Sequence, residues 1–211
     1  KVFIESDVLL ALFSNFTDLY DEGVLVLSGT GSAVLGIKNT KTRLIGGWGH
    51  LLTECGSSYS VVRDFICKLI RQYESEGIIS DLGKRFMEHL NYTHINDFKK
   101  LVYKNTKNDI AKYARFFTEI AESEHNEEAI NILKIAGREL ASDVINAFKA
   151  LNLSSNAVLG FRGGFINNAK IVQTELIDVL HKHDINSEVI VGESDPIFGA
   201  YYMVKRMGLL C

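Results

Sequence analysis

Gly23-Val24-Leu25-Val26-Leu27-Ser28-Gly29-Thr30-Gly31-Ser32 is a continuous apolar run that breaks into a glycine-flanked polar turn. The run reads as a buried strand, because apolar residues at successive positions require cover on both faces of a sheet. Gly29 to Ser32 turns the chain, and Ala33–Ile37 and Thr42–Gly46 read as two further strands around a polar Asn39-Thr40-Lys41-Thr42 hairpin turn. Three sequential strands joined by tight turns predict an antiparallel meander. Upstream, Val2–Glu5 reads as a brief strand and Asp7–Phe16 as a short helix with Ser6 or Asp7 as its N-cap.

Downstream, residues 57–151 read as helical throughout. Ser57 or Ser58 caps a helix whose apolar positions Val61, Val62, Phe65, Ile66, Leu69 and Ile70 keep helical spacing. Asp81–Leu90, Asn96–Tyr103, Asp109–Ala121 and Glu127–Leu151 are further amphipathic segments. No glycine-rich linker sets this block apart, so it reads as an insertion or subdomain. Alternation returns after residue 152: Ala157–Phe161 as strand, Gly163-Gly164 as turn, Ala169–Lys182 as helix, Glu188–Val191 as strand and Pro196–Met207 as a last helix. Pro196 falls in a first turn, where its missing N–H costs little. A β-α-β-α order predicts parallel strands with right-handed crossovers. The expected organisation is therefore 1–56 as the start of an α/β unit, 57–151 as the helical insertion and 152–211 as its remainder.

The 211 residues are 46% hydrophobic and 23% charged, an ordinary globular composition. A formal net charge of -3 supplies no basic field for a phosphate backbone, so nucleic acid is a poor partner. No apolar run reaches the roughly 18 residues of a membrane span. Three widely spaced cysteines, Cys55, Cys67 and Cys211, form no disulfide framework or zinc knuckle. A reducing cytoplasm is the expected setting. The chain opens on Lys1 rather than methionine and reads as preceded by further sequence.

Four places carry candidate chemistry. Gly29-Thr30-Gly31-Ser32 lies between two strands, so it lacks the context of a P-loop or a dinucleotide fingerprint. It is either a plain hairpin turn or one whose backbone N–H groups and hydroxyls face an anion. Gly46-Gly47-Trp48-Gly49-His50 suits neither helix nor strand. Trp48 either plugs the core or offers its face to a sugar ring. Gly163-Gly164 follows a strand and precedes a helix; it is a tight turn or a close-approach site at the ligand-carrying end of an α/β sheet. Asp7 is a helix cap or a general base for a substrate hydroxyl.

In this order, Ser6-Asp7, Ser28 to Ser32, Gly46 to His50, Glu54-Cys55-Gly56-Ser57, Gly163-Gly164 and Ser194 to Ala200 resemble the N-acetylglucosamine kinase group of the BadF/BadG/BcrA/BcrD-type ATPase family, within the actin-like sugar kinase superfamily. The resemblance covers nearly the whole chain. It implies an α/β, actin-like ATPase (ribonuclease H-like) lobe with a β-β-β-α-β-α core and a large helical insertion. It also implies ATP and Mg²⁺ in an interlobe cleft, an amino sugar as acceptor and a homodimer as the common assembly. Asp7 matches the catalytic aspartate, which also meets the sugar. Gly29, Thr30, Gly31 and Ser32 match a phosphate hairpin, with Thr30 near the phosphates. Gly47, Trp48 and Gly49 match the sugar segment. Glu54 stands where a sugar-binding aspartate is usual, and Gly163 and Gly164 match the adenosine turn.

Three departures qualify the likeness. The first phosphate hairpin of the superfamily is absent, so the chain resembles a C-terminal lobe whose N-terminal lobe lies elsewhere; alone it is expected to be inactive. Glu54-Cys55-Gly56-Ser57 replaces Asp-Glu-Gly-Ser, which leaves open which sugar is taken. Arg162 before the adenosine turn is expected to face solvent rather than stack on adenine. Competing readings are an ATPase activator of a 2-hydroxyacyl-CoA dehydratase type, which holds an iron–sulfur cluster through thiolates, and a sugar-binding sensor without turnover.

Overall fold

The computed structural model describes residues 4–17, 19–192 and 194–208. The opening elements are α1 (Asp7–Phe16), β1 (Glu22–Ser28), β2 (Ser32–Lys38) and β3 (Lys41–Gly46). The helical block holds α2 (Ser58–Glu76), α3 (Asp81–His89), a 3₁₀ turn (Ile95–Asp97), α4 (Phe98–Lys104), α5 (Lys107–Ala111), α6 (Ala114–Glu124) and α7 (Glu127–Leu151). The chain then forms β4 (Val158–Arg162), α8 (Gly164–Asn168), α9 (Lys170–His181), β5 (Val189–Val191) and α10 (Ile197–Arg206). The strands make one five-stranded sheet ordered β3-β2-β1-β4-β5. The meander is antiparallel, as expected, while β4 runs parallel to β1 and β5 parallel to β4.

The two faces of the sheet explain why residues 23–27 are apolar without alternation. Val24, Val26 and Val34 face a core shared with Ala136, Leu140 and Val144 of α7 and Leu176 of α9. Leu25, Leu35 and Ile37 face the other way, into a second cluster with Leu12, Phe13 and Phe16 of α1 and Met203 of α10. A central strand covered on both faces has no position left for a polar side chain. The helical block is continuous with the first core through Phe65, Phe86 and Phe117, whose ring centroids lie 4.7–5.6 Å apart. Ser57 and Ser60 form a reciprocal capping box at the start of α2, and left-handed Gly77 ends it.

Three elements differ from expectation. The segment 109–121 is two helices, because the chain turns at Lys112-Tyr113 and the Tyr113 ring packs on Phe86 and His89. The five-residue α8 follows the glycine turn and is too short for apolar periodicity to reveal. Ile4–Ser6 are irregular and Ile4 is 90% exposed, with Val2 and Phe3 of the expected first strand outside the described residues. Among the described residues no helix is long and apolar enough to cross a membrane.

Candidate functional site

The parallel register pairs Leu27 with Arg162, which sets the turn after β1 beside the turn after β4. At Gly163, φ is +123°, and a Cβ there would stand 2.3 Å from the Ser28 carbonyl oxygen and 3.1 Å from the Gly29 nitrogen. The backbones of the two glycine turns therefore touch, which only glycine permits. A third segment closes the junction. The Ser28 hydroxyl donates to the Gly56 carbonyl at 2.7 Å, and the Ser58 N–H donates to the Gly29 carbonyl at 2.9 Å.

Within the hairpin, the Gly29 N–H donates to the Gly31 carbonyl at 2.9 Å and the Ser32 N–H to Glu54 Oε1 at 2.6 Å. The Ser32 hydroxyl is also engaged, on Glu54 and on the Cys55 carbonyl. The backbone N–H groups of Thr30 and Gly31 and the Thr30 hydroxyl have no partner among the described residues. The tip of the turn thus presents two adjacent backbone donors and one hydroxyl, the set an anion takes. Of the two hydroxyls expected to serve an anion, Thr30 is available and Ser32 is committed to Glu54.

Glu54 is buried, and its second oxygen, Oε2, accepts from Lys107 Nζ at 2.6 Å. Lys107 is the first residue of α5, far from the hairpin in sequence, and no pattern of residues pointed to it. Arg63 donates to the Glu54 carbonyl at 2.9 Å and pairs with Asp64 at 2.7 Å. The Cys55 thiol donates to Asp143 Oδ2 at 3.7 Å. Burial, reinforced by the Asp143 and Glu139 carboxylates, pushes that thiol up to about 12, so it stays protonated. Glu139 accepts the Gly56 N–H at 2.9 Å, and burial holds it and Asp143 above the usual carboxylate range. Glu139 and Asp143 were not anticipated either: α7 reads as a packing helix, and only the fold shows that it runs beneath residues 54–56.

Gly46, Gly47 and Gly49 all have positive φ, and Gly46 pairs with Ala33, so the Trp48 loop leaves the same end of the sheet as the hairpin. Trp48 is 72% exposed and does not plug the core. His50 is half-buried, edge-on to the Tyr59 ring at 5.3 Å.

Next to the junction lies a cavity of about 610 Å³. Gly164, Phe165 and Asn168 line one side, Ala111, Arg115 and Thr118 the other, with Ser58 between. Its size and its mixed lining suit a small organic ligand. Arg162 is half-buried and does not line this cavity. It donates to the Ser14 hydroxyl and to the Ser194 carbonyl, both at 2.9 Å, because it ends a strand flanked by α1 and the chain after β5.

Asp7 stands apart from this cluster. Ser6 is the N-cap of α1, accepting from the Leu9 N–H, and Asp7 is exposed in the first turn, where its Oδ1 accepts from the Val8 N–H at 2.9 Å. Glu5 and Leu9, which flank it, line a groove with Asn39 and Thr40 of the β2–β3 turn and Thr42 of β3. That is the opposite end of β2 from Ser32. The structure therefore gathers Gly29–Ser32, Glu54 and Gly163–Gly164, sets the Trp48 loop at the same end of the sheet, and leaves Asp7 outside.

A five-stranded sheet with helices on both faces, and glycine turns meeting at one end of β1 and β4, is the architecture of an actin-like ATPase domain. The chain superposes on 63% of a solved Chromobacterium violaceum protein assigned as an N-acetylglucosamine kinase, covering 92% of itself at a TM-score of 0.70 and 17% identity. A ROK family glucokinase from Streptomyces griseus, solved with glucose and AMPPNP, matches at a TM-score of 0.56 and 13% identity, over 97% of this chain and 67% of that one. The model of the BadF/BadG/BcrA/BcrD ATPase family matches residues 4–203, and the chain belongs to that family. It is 27% identical over 209 residues to the N-acetylmuramic acid/N-acetylglucosamine kinase of Clostridium acetobutylicum, covering 97% of itself and 67% of that enzyme. It is 26% identical over 202 residues to the N-acetyl-D-glucosamine kinase of Dictyostelium discoideum, covering 93% of itself and 63% of that enzyme. The chain thus spans about two thirds of the length of these relatives.

Proposed function

We propose that the protein containing this chain phosphorylates an amino sugar, N-acetylglucosamine or a close relative, at the expense of ATP. The observation that carries the reading is the junction of the two glycine turns: paired free N–H groups at Thr30 and Gly31 stand at the same end of the sheet as the cavity beside Gly164. Adenosine in the cavity and phosphates over the hairpin tip would fit that spacing. Phosphoryl transfer depends mainly on positioning and on neutralising charge, which backbone donors supply without reorganising. Mg²⁺ would travel on the triphosphate oxygens, where it supplies the remaining charge neutralisation. Among the described residues no group of three His, Cys, Asp or Glu side chains offers it a protein cage.

On the sugar side, the exposed Trp48 face and the backbone of Gly47 and Gly49 would meet the ring. Glu54 would take part only if its ion pair with Lys107 opens, since its side chain is 3% exposed. Asp7 is assigned as the base for the acceptor hydroxyl by resemblance alone. For that role the first turn of α1 has to approach the hairpin end of the sheet. A second lobe outside this chain would complete the cleft, in keeping with the greater length of the relatives.

The test uses the longest native polypeptide containing this chain, with ATP-Mg²⁺ and a panel of N-acetylglucosamine, N-acetylmuramic acid, glucosamine and glucose. ADP release stimulated by one amino sugar and abolished by Asp7→Asn supports the reading. ADP release indifferent to every sugar contradicts it.

A further inference from the structure

Lys107 and Glu54 pack against Gly31 at the tip of the hairpin. A Cβ at Gly31 would stand 2.6 Å from Lys107 Nζ and 3.3 Å from Glu54 Oε2. A buried carboxylate is thus held against the turn whose Thr30 and Gly31 N–H groups are unpartnered among the described residues. Taken alone, its charge would repel any phosphate brought to Thr30 and Gly31. The ammonium of Lys107 offsets it. That side chain is 24% exposed, against 3% for Glu54, so the cation and not the anion is the member of the pair within reach of solvent and ligand. An ammonium has three donors, and Glu54 takes one.

The other cations nearby have acids of their own. Arg63 is paired with Asp64, Lys112 with Asp109 and Arg115 with Glu119. Lys107 differs because its partner is the carboxylate that already holds Ser32 in place. The tie also joins α5 of the helical block to the hairpin across 53 residues.

We propose that Lys107 is a phosphate-binding residue, the helical block's contribution to the hairpin, whose ammonium stays on Glu54 and donates to the outer phosphate oxygens of a bound nucleoside triphosphate. The inference rests on the nucleotide reading above. Glu54 acts as its positioning residue: it fixes the ammonium and the Ser32 N–H at the same time. A purely structural pin between α5 and the hairpin would predict something different. Losing either partner of a pin does the same damage, and the number of phosphates on the ligand is immaterial.

The experiment is titration calorimetry of the longest native polypeptide with ATP-Mg²⁺, ADP-Mg²⁺ and adenosine, for the unaltered protein, Lys107→Gln, Glu54→Gln and the double variant. Loss of a charge-assisted contact weakens ATP binding by about ten- to a hundredfold in Lys107→Gln, while adenosine stays within about twofold and ADP falls between. Glu54→Gln keeps the cation and removes the repelling charge but no longer fixes the ammonium, so it weakens ATP binding by less than Lys107→Gln does. The double variant, which leaves no buried charge unpaired, binds ATP more tightly than Lys107→Gln does. Equal losses for adenosine and ATP, equal losses in the two single variants, or unchanged ATP affinity in Lys107→Gln would each overturn the proposal. Failure of the unaltered protein to bind ATP at all would instead remove the nucleotide reading on which it stands.

Discussion

Replacing Gly163 by alanine probes the contact on which the site is built. At φ +123° and ψ 149° the residue occupies a region that side chains other than glycine rarely enter, at a strain of about 1–3 kcal/mol. The new methyl would also lie 2.3 Å from the Ser28 oxygen and 2.6 Å from its carbonyl carbon, both backbone atoms of a central strand that cannot rotate away. Overpacking of that kind adds roughly 1–3 kcal/mol. The sum, about 2–6 kcal/mol, corresponds to a fall in Tm on the order of 5–20 °C for a chain of this size. Gly164 is the matched control: its φ is not positive and a Cβ there meets nothing within 4 Å, yet it lines the cavity. Gly164→Ala should leave Tm within about 2 °C and weaken ATP binding. Thermal unfolding and nucleotide titration of both variants separate the two effects. A Gly163→Ala protein that melts within about 2 °C of the parent would refute the account of how the two turns meet.

Three further outcomes follow from the same geometry. Trp48→Ala removes a mostly exposed ring, so stability should hold to within about 0.5 kcal/mol while the KM for the sugar rises about three- to tenfold; a large loss of stability with no change in KM would place the ring in packing instead. With iodoacetamide near pH 8, peptide mass spectrometry should find the exposed Cys67 alkylated well before Cys55, whose thiol is pushed up to about 12; the reverse order would contradict the Cys55–Asp143 contact. Burial holds Glu139 and Asp143 above their ordinary 4.5 and 3.8, so the folded chain keeps protons that the unfolded chain has already released. These groups therefore lower stability as pH rises from those ordinary values through the raised ones. Glu139→Gln should flatten that decline in denaturant melts between pH 4 and pH 8, and an unchanged slope would count against the burial of Glu139.

The strands were legible because their chemistry is local. Residues 23–27 carry no polar side chain, and only a strand covered on both faces tolerates that, so the sheet and its antiparallel start could be read directly. Gly29–Ser32 and Gly163–Gly164 were legible as close-approach sites for the same reason, since a positive φ or a touching backbone selects glycine at the position itself. That the two turns touch each other was not, because contact depends on the parallel register of β1 and β4. Lys107, Glu139 and Asp143 were hidden for a related reason: each lies on a helix whose residues alternate between packing and solvent, and only the fold brings them under residues 54–56. The break at Lys112-Tyr113 was masked because the apolar spacing continues across it while the Tyr113 ring turns inward.

The claim that adenosine and phosphates share the two glycine turns is tested most directly by a crystal structure of the longest native polypeptide with a non-hydrolysable ATP analogue and Mg²⁺. The account predicts the base in the cavity between α6 and Gly164–Asn168, and the outer phosphates on the Thr30 and Gly31 N–H groups. Nucleotide bound elsewhere, with those two N–H groups still unpartnered, would contradict it.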